Sequence, residues 1–513
     1  MNGGTLSYTI ADNATWFSVS PPNGSSTGGH NRHTVIFDTW QLLAGSYSAA
    51  ITISAPGATN TPQTIAVTLK VLASDPGWRY DRCDEAGSAY NPYGSKLRST
   101  GGFAEKWSAA SDGEWTGLKC GDVDGDGRLE IVIALGGHIR VYQDNGAPGT
   151  DLDLTGLWQW TYVDMLADVN EDGIDDIAVG GRPSRDAAQI RFYSGTGTLL
   201  KTLSRASTFS TFDSYLAAKD ILPNGDVIVM YDAIHNKEPR GVGRWSYAAG
   251  IELWNYNVGP QTGRLSHRDI DGDGKMEITM FSVFGPNGGE GDGYNHNGTR
   301  TTDDQFWTIV VDEDGNEHFT VGYGADGQSS GYLLNFFTDL DRNGTGEVLA
   351  VESHEASCPG TSQIHLLNSS NGSIIRTFNG AVNGIWEGIA FADLNNDGRD
   401  EVVAGSNSGT IYVLDSILNV ITSEPMSGSV CAINDLDGDG LNEIVIADGA
   451  TVRVVNRNLA ELWSHTVGTN IGSVAVSDLD RNGRNEIILG ADRLYVFEAQ
   501  PPTAVRRSWL LYE

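Results

Sequence analysis

The stretch Asp435-Leu-Asp-Gly-Asp-Gly-Leu-Asn-Glu443 is followed at once by the apolar run Ile444-Val-Ile-Ala447. Near-copies of this nine-residue loop recur along most of the chain, and each leads into a similar apolar run. The seven copies begin at Asp122, Asp168, Asp269, Asp339, Asp393, Asp435 and Asp478. One unit that recurs at this scale indicates a repeat protein.

The loops place carboxylate or amide oxygens at alternate positions of a glycine-marked turn. Calcium takes about six to eight oxygen ligands, so this pattern favours calcium over zinc. An EF-hand loop closes with an acid at about its twelfth position and lies between helices. Here the closing acid is at the ninth position and β-branched strands follow. Asp, Asn and Gly also mark ordinary turns, but seven copies with one internal spacing favour a metal site.

Four ligands per loop are predicted, at its first, third, fifth and ninth positions, which gives about seven Ca²⁺ sites. The predicted ligands are Asp122, Asp124, Asp126, Glu130, Asp168, Asn170, Asp172, Asp176, Asp269, Asp271, Asp273, Glu277, Asp339, Asp341, Asn343, Glu347, Asp393, Asn395, Asp397, Glu401, Asp435, Asp437, Asp439, Glu443, Asp478, Asp480, Asn482 and Glu486.

Length and charge restrict the class of protein. A chain of 513 residues is too long for one hydrophobic core, so several domains or a repeat array are expected. The net charge is −33, but 27 of the 66 acidic residues lie in the seven loops, so much of the acidity belongs to predicted metal ligands. No cluster of Lys and Arg offers a surface for nucleic acid, and no apolar run is long enough to span a membrane.

Cysteine content and the expected metal bear on location. Four cysteines are too few for a disulfide scaffold. Cys83 and Cys120 flank the entry to the repeats, and they could form a disulfide or stay as two thiols.

Calcium sites of this kind would fill outside the cell, so a secreted or cell-surface protein is expected. The sequence begins without a charged-then-apolar export signal. We expect a monomer.

Residues 1–73 differ from the repeats. They contain short alternating strands separated by Gly, Pro, Asn and Ser turns, which predicts a small β-sandwich. The stretches that carry a family resemblance are Gly4–Tyr8, Trp16–Pro21, Leu43–Tyr47 and Pro62–Val71. On these the segment resembles the BACON domain, an immunoglobulin-like module of many secreted bacterial carbohydrate-active proteins. That family has one or two earlier strands, so we expect this domain to be truncated at its N-terminus.

The repeats themselves have four strand-like pieces in about 40–50 residues, which is typical of a β-propeller blade. Between Asp168 and Asp269 the spacing is 101 residues, about twice the usual period. This gap contains Tyr215–Val229, a unit whose loop has lost the alternating carboxylates. The sequence therefore predicts an all-β chain with an eight-bladed propeller over residues 119–513, and seven blades as the alternative.

A propeller ring has to close. The last unit lacks an obvious fourth strand, whereas Phe103–Trp107, within the connector of residues 74–118, stands ahead of the first unit without a blade. We expect that strand to complete the last blade, with Ser508–Leu511 as the competing candidate.

On its D-x-[DN]-x-[DN]-G-x-x-[DE] loops, the repeat region resembles the FG-GAP/VCBS propellers, the group that includes the integrin head. That resemblance implies fold and calcium more than function, because the family includes adhesion heads, lectin-like modules, enzyme domains and structural spacers.

Three consecutive units carry long insertions between their second and third strands, at residues 232–243, 285–305 and 354–362. Strands alternate in direction, so we expect these insertions to form one patch opposite the calcium loops. Long loops of this composition are also common as plain surface loops. The candidate ligand-binding residues on them are His235, Lys237, Arg240, Tyr294, His296, Arg300, His354 and Glu355.

Two classes of function follow. In the first, the chain is a non-catalytic module whose calcium-stiffened ring binds a polysaccharide, a surface glycan or a protein, and no catalytic residue is assigned. The alternative is a polysaccharide lyase acting by β-elimination on uronic-acid polymers, because rhamnogalacturonan lyases resemble eight-bladed calcium propellers and some ulvan lyases are propellers too. In that case His or Lys would serve as base and Tyr as acid.

Overall fold

A computed structural model gives the fold. It describes residues 5–27, 31, 33–37, 45–71, 77–80, 82–84, 88–99, 102–110, 115–135, 137–155, 158–184, 187–206, 214–233, 240–284, 301, 306–323, 331–354, 362–382, 388–406 and 409–501. The chain divides into two compact units, Met1–Pro76 and Gly77–Glu513. The segment 74–118, which the sequence analysis sets apart as a connector, therefore belongs mostly to the second unit.

The first unit is built from two antiparallel β-sheets. Its strands are β1 (Leu6–Asp12), β2 (Phe17–Ser20), β3 (Asn23–Ser26), β4 (Thr34–Phe37), β5 (Gly45–Ser54) and β6 (Gln63–Val71). One sheet has the order β3-β1-β5-β6, and β2 pairs with β4 in the other. Apolar residues at alternate positions face the interior, as Phe17 and Val19 do on β2, while Ser18 and Ser20 are exposed. The core contains Ile10, Trp16, Phe17, Val19 and Ile51.

The second unit begins its repeats with three four-stranded antiparallel sheets. The first sheet contains β8 (Trp115–Gly121), β9 (Glu130–Leu135), β10 (His138–Tyr142) and β11 (Pro148–Asp153). The second contains β12 (Trp158–Ala167), β13 (Asp176–Ser184), β14 (Ala187–Tyr193) and β15 (Leu199–Ala206). The third contains β16 (Ser214–Ile221), β17 (Asp226–Ala233), β18 (Gly241–Ser246) and β19 (Ile251–Asn257).

An eight-stranded sheet follows, in which two four-strand repeats are joined because β21 pairs with β24. Its first repeat contains β20 (Gln261–Arg268), β21 (Glu277–Phe284), β22 (Phe306–Asp312) and β23 (Glu317–Tyr323). Its second repeat contains β24 (Gly331–Thr338), β25 (Glu347–His354), β26 (Ser362–Asn368) and β27 (Ile374–Val382).

Three more four-stranded sheets complete the unit. One contains β28 (Ile389–Ala392), β29 (Glu401–Ser406), β30 (Thr410–Leu414) and β31 (Val420–Glu424). The next contains β32 (Ser429–Asn434), β33 (Glu443–Asp448), β34 (Thr451–Val455) and β35 (Glu461–Thr466). The last contains β36 (Ser473–Ser477), β37 (Glu486–Gly490), β38 (Arg493–Ala499) and β7 (Phe103–Ala110). The strand β7 thus pairs with β38 across almost the whole length of the unit's sequence. The competing segment Ser508–Leu511 lies outside the described residues.

The repeats are arranged in a closed ring. Neighbouring repeats pack side by side: β8 contacts β12, β12 contacts β16, β17 contacts β20, β20 contacts β24, β28 contacts β32, β32 contacts β36, and β36 of the last repeat contacts β8 of the first. The fifth and sixth repeats share one hydrophobic cluster. One hydrophobic cluster spans this junction, with Leu118 and Ile131 from the first sheet and Ala475 and Ile488 from the last. The second strands are buried along their length, as the pattern of β9 shows, whereas outer strands such as β35 alternate between exposed and half-buried residues. Each repeat therefore combines a continuous apolar run, which forms the buried second strand, with alternating residues in its partly exposed outer strand.

The described residues between Trp78 and Asn91 lie at the centre of the ring, a placement that the sequence does not indicate. They contact the first strand of all eight repeats in order, so they lie where those strands converge. The contacts are Trp78 with Cys120, Arg79 with Leu166, Tyr80 with Asp220 and His267, Arg82 with Phe336, Ser88 with Phe391, Ala89 with Ile433 and Asn91 with Val476. Cys83 and Cys120 are both buried thiols, so the disulfide considered for them is not formed.

Candidate functional site

The seven acidic loops share one hydrogen-bond pattern. In each loop the first aspartate accepts the backbone N–H of the glycine at the sixth position, as Asp122 does from Gly127 at 3.0 Å. The closing acid accepts the N–H of the second residue, as Glu130 does from Val123 at 3.0 Å. The sixth-position glycine has a positive φ, 87° at Gly127, which a residue with a side chain rarely adopts. Sequence spacing and backbone geometry together point the acidic side chains inward.

The closing acid is the first residue of the second strand in every loop, and it is buried. Glu130 is fully buried and Glu277 is 1 % exposed. Burial, reinforced by the neighbouring aspartates, raises the pKa of Glu130 to about 8 and that of Glu277 to about 7. One oxygen of each of these two carboxylates, Oε1, is buried without a hydrogen-bond partner among the described residues. A carboxylate held in this way is stabilised by a cation.

Groups of oxygen ligands converge at these positions. In several loops three carboxylates offer one oxygen each within 4.8 Å of one another. The groups include Asp122 with Asp124 and Glu130, Asp269 with Asp271 and Asp273, Asp339 with Asp341 and Glu347, and Asp435 with Asp437 and Glu443. Oxygen donors and buried, unpartnered carboxylate oxygens fit a hard divalent cation. The loops can therefore hold metal ions.

Three side chains outside the nine-residue motif also reach the loops. His318 of β23 lies with its Nε2 4.0 Å from Oε1 of Glu277. Lys106 of β7 lies among the acids of the last loop. In the repeat whose loop has lost its carboxylates, Nε of Arg244 lies 2.8 Å from Oδ2 of Asp226. The motif does not predict these residues, because they come from other strands of the same sheet.

The candidate ligand patch is only partly described. Arg240 is 3 % exposed and donates a hydrogen bond to the carbonyl of Gly259. The guanidinium thus supports the connection that follows β19, and the assignment of Arg240 to the ligand patch stays a prediction. His354 is the last residue of β25 and pairs with Gly331, while its side chain lies outside the described part. The other patch residues lie outside the described residues: His235, Lys237, Tyr294, His296, Arg300 and Glu355.

The described ends of the three insertions are tied together. Phe284, which precedes the second insertion, pairs with Gly331, and Gly331 pairs with His354, which precedes the third. Gly259 donates its N–H to Oγ1 of the buried Thr301, within the second insertion, at 3.0 Å. The same Gly259 accepts from Arg240, at the end of the first insertion. The insertions therefore leave the fold from neighbouring points, at the end of the sheets opposite the acidic loops.

Comparison by sequence identifies one repeat. Residues 122–179 match the model of the FG-GAP-like repeat. This match covers the first acidic loop, the second one, and the strands between them. The sequence matches none of the curated proteins.

Comparison by structure supports a propeller-like fold. The chain is similar to the quinohemoprotein alcohol dehydrogenase of Comamonas testosteroni, with a TM-score of 0.59 and 10% identity over 85% of this chain and 82% of that one. At such low identity the likeness concerns the fold alone. A rhamnogalacturonan lyase, YesW, aligns over 98% of this chain and 87% of its own with 16% identity, but its TM-score is 0.43. The described residues contain no helix of the length and apolarity needed to cross a membrane.

Proposed function

We propose that the chain is a calcium-stabilised, eight-bladed propeller module of an exported protein, and that it binds a glycan or protein ligand without catalysis. The eight first strands touched in turn by the segment Trp78–Asn91 support eight blades, with the eight-stranded sheet counted as two. The first unit is proposed to be a BACON-like sandwich. Calcium is the proposed ion because the loop residues offer carboxylate and asparagine amide oxygens. At the Asp269 loop, His318 of a neighbouring strand adds one nitrogen to the possible ligands.

Replacing Asp437 with Ala tests whether each loop binds its own ion. Asp437 belongs to a three-carboxylate group with Asp435 and Glu443. We expect bound calcium to fall by one ion per chain and the melting temperature in calcium to fall. In excess chelator the variant should melt at the same temperature as the parent or higher, because a repulsive charge is gone. Loss of all bound calcium would contradict independent loops.

The ligand is proposed to bind at the insertion face, and the observation that carries this is the linkage of the three insertion ends through Gly259 and the β21–β24–β25 pairing. Insertions that start from neighbouring points on a rigid scaffold are suited to binding. Their sequences contribute Lys237, Arg300 and three histidines to a chain of net charge −33. The insertions also contain seven Asp and Glu residues, so individual cations such as Lys237 and Arg300, rather than a net positive charge, are proposed to hold an acidic sugar.

Binding of uronic-acid polysaccharides, measured by calorimetry with calcium present, tests this proposal. A variant with Lys237→Ala and Arg300→Ala should bind at least about tenfold more weakly, because each lost charge-assisted hydrogen bond removes about 1.5–3 kcal/mol. Arg457→Ala is the matched control, since Arg457 is an exposed cation in the turn between β34 and β35, at the acidic-loop end of its sheet. Its affinity should equal that of the parent.

The same samples distinguish the other functions. Absorbance of newly formed unsaturated sugar ends, lost in a Tyr294→Phe variant, would make the protein a lyase and contradict the non-catalytic proposal. Equal affinity of the double variant and the parent would move the ligand away from the insertion face. No binding to any acidic or neutral polysaccharide would leave a protein ligand as the remaining form of the proposal.

A further inference from the structure

The last acidic loop already holds a positive charge. Lys106, on the ring-closing strand β7, places its Nζ 2.6 Å from Oε1 of Glu486 and 2.8 Å from Oδ2 of Asp480. A third carboxylate oxygen, Oε1 of Glu498, is 3.1 Å from the same nitrogen. The side chain of Lys106 is 20% exposed and that of Glu486 is fully buried. The ammonium therefore has the carboxylate surroundings that a metal ion would need.

The closing acids show the contrast directly. In the first loop, Oε1 of Glu130 is buried without a hydrogen-bond partner among the described residues, and the same holds for Oε1 of Glu277. The equivalent oxygen of Glu486 is bonded to Lys106. Calcium–oxygen distances are about 2.3–2.6 Å, so an ion bound to Glu486 and Asp480 would lie in the space that Nζ occupies.

The backbone explains how Lys106 reaches the loop. Pairing between β38 and β7 shifts from Val496–Trp107 to Phe497–Glu105, which leaves Lys106 as the extra residue of a β-bulge. The outer strands of the second to seventh repeats have a shift at the same point, and their extra residues are Leu200, Leu253, His318, Ile375, Ile421 and Leu462. Five of these six residues are aliphatic, and Leu462 is 41% exposed. The last repeat therefore differs from the others in having a lysine as the extra residue of this bulge.

A second repeat shows the same substitution of a side-chain cation for a metal site. The loop before β17 has lost its alternating carboxylates but keeps an acid, Asp226, at the start of the second strand. Arg244 pairs with that acid, and the two side chains are 13% and 15% exposed. In the last repeat the carboxylates remain and the lysine is added.

We propose that the Asp478–Glu486 loop takes no calcium, and that Lys106 is its built-in cation. The inference rests on the proposed calcium binding by the other loops. Closure of the ring would then not depend on calcium, because β7, the strand that closes the ring, supplies the positive charge of Lys106 to the last loop. The closing sheet is then held together by an ion cluster that chelators do not remove.

Bound calcium per chain, measured by atomic emission after gel filtration in calcium buffer, tests the proposal. The seven loops less the last one give six ions for the parent. Lys106→Leu introduces the residue found at the same bulge in the repeat of the Asp435 loop and should raise the number by one. Leu462→Lys, the reciprocal change at the Asp435 loop, should lower it by one. Lys106→Arg keeps the charge and should leave the number unchanged.

The outcomes separate the two proposals. Seven ions in the parent, with no gain in Lys106→Leu, would overturn the role of Lys106 and leave calcium binding intact. No calcium in the parent would contradict the proposed function and remove the basis of this inference as well. If Lys106→Leu does not fold, Leu462→Lys still decides, because an unchanged number of ions in that variant would show that a lysine in the bulge does not displace calcium.

Discussion

We expect excess chelator to lower the melting temperature of the chain by roughly 10 °C or more relative to buffer with millimolar calcium. Each site contributes about 2.7 kcal/mol to the free energy of unfolding when free calcium is about 100-fold above its dissociation constant. Without the ions, the loops keep 27 clustered acidic residues in a chain of net charge −33, and that repulsion opposes the compact state. Differential scanning calorimetry in both buffers measures the effect.

Two controls make the chelation result specific. Calcium added in excess over the chelator should restore the original melting temperature, which excludes an effect of the chelator itself. Magnesium at the same concentration should restore less, because Mg²⁺ gives up its water ligands reluctantly. A melting temperature that does not change in chelator would contradict the calcium-stabilised ring.

Asn434→Ala should lower the free energy of unfolding by about 3 kcal/mol, because it breaks a buried amide cluster at the ring centre. Asn434 is fully buried. Its amide donates to the carbonyls of Asn91 at 2.8 Å and Tyr93 at 3.2 Å, and its Oδ1 accepts from Asn485 at 2.6 Å. The substitution removes these three hydrogen bonds at once, although the Asn485 amide keeps its bond to the Tyr93 carbonyl at 2.6 Å. Chemical denaturation with calcium present measures the loss.

The control for this prediction is Asn458→Ala, at an exposed turn between β34 and β35. That change should alter the free energy of unfolding by less than about 0.5 kcal/mol. If Asn434→Ala were as mild as Asn458→Ala, the segment Trp78–Asn91 and its continuation to Tyr93 would not be a fixed part of the ring.

The local parts of the fold were predictable from sequence because they depend on short-range rules. A loop such as Asp435–Glu443 specifies its own turn through alternating side-chain acceptors and a glycine with positive φ. The buried strand after it follows from a continuous apolar run, Ile444–Ala447 in this repeat. The degenerate unit around Tyr215–Val229 was recognisable because its strands kept their pattern after the loop had changed.

The parts that sequence reasoning missed depend on contacts between distant residues. The sequence predicts that the strand containing Lys106 completes the last blade, but it does not indicate the bulge that brings this lysine to acids more than 370 positions later in the chain. The described residues between Trp78 and Asn91 contact one first strand after another, so no periodic sequence pattern marks them. Arg240 is a cation of the kind expected in a ligand site, but its guanidinium donates a hydrogen bond to the backbone carbonyl of Gly259. The placement of Lys106 depends on the β-bulge in the pairing between β38 and β7, and no sequence motif marks that bulge.

An anomalous difference map from crystals grown in calcium tests the central claim most directly. We expect one peak in each of the six loops that begin at Asp122, Asp168, Asp269, Asp339, Asp393 and Asp435, and none in the loop that begins at Asp478. All the peaks should lie on one face of the ring. A peak beside Lys106 would contradict the proposal that this lysine replaces calcium in the last loop, but it would not contradict calcium binding by the other loops. Loops without any peak would contradict calcium as the ion that stabilises the ring.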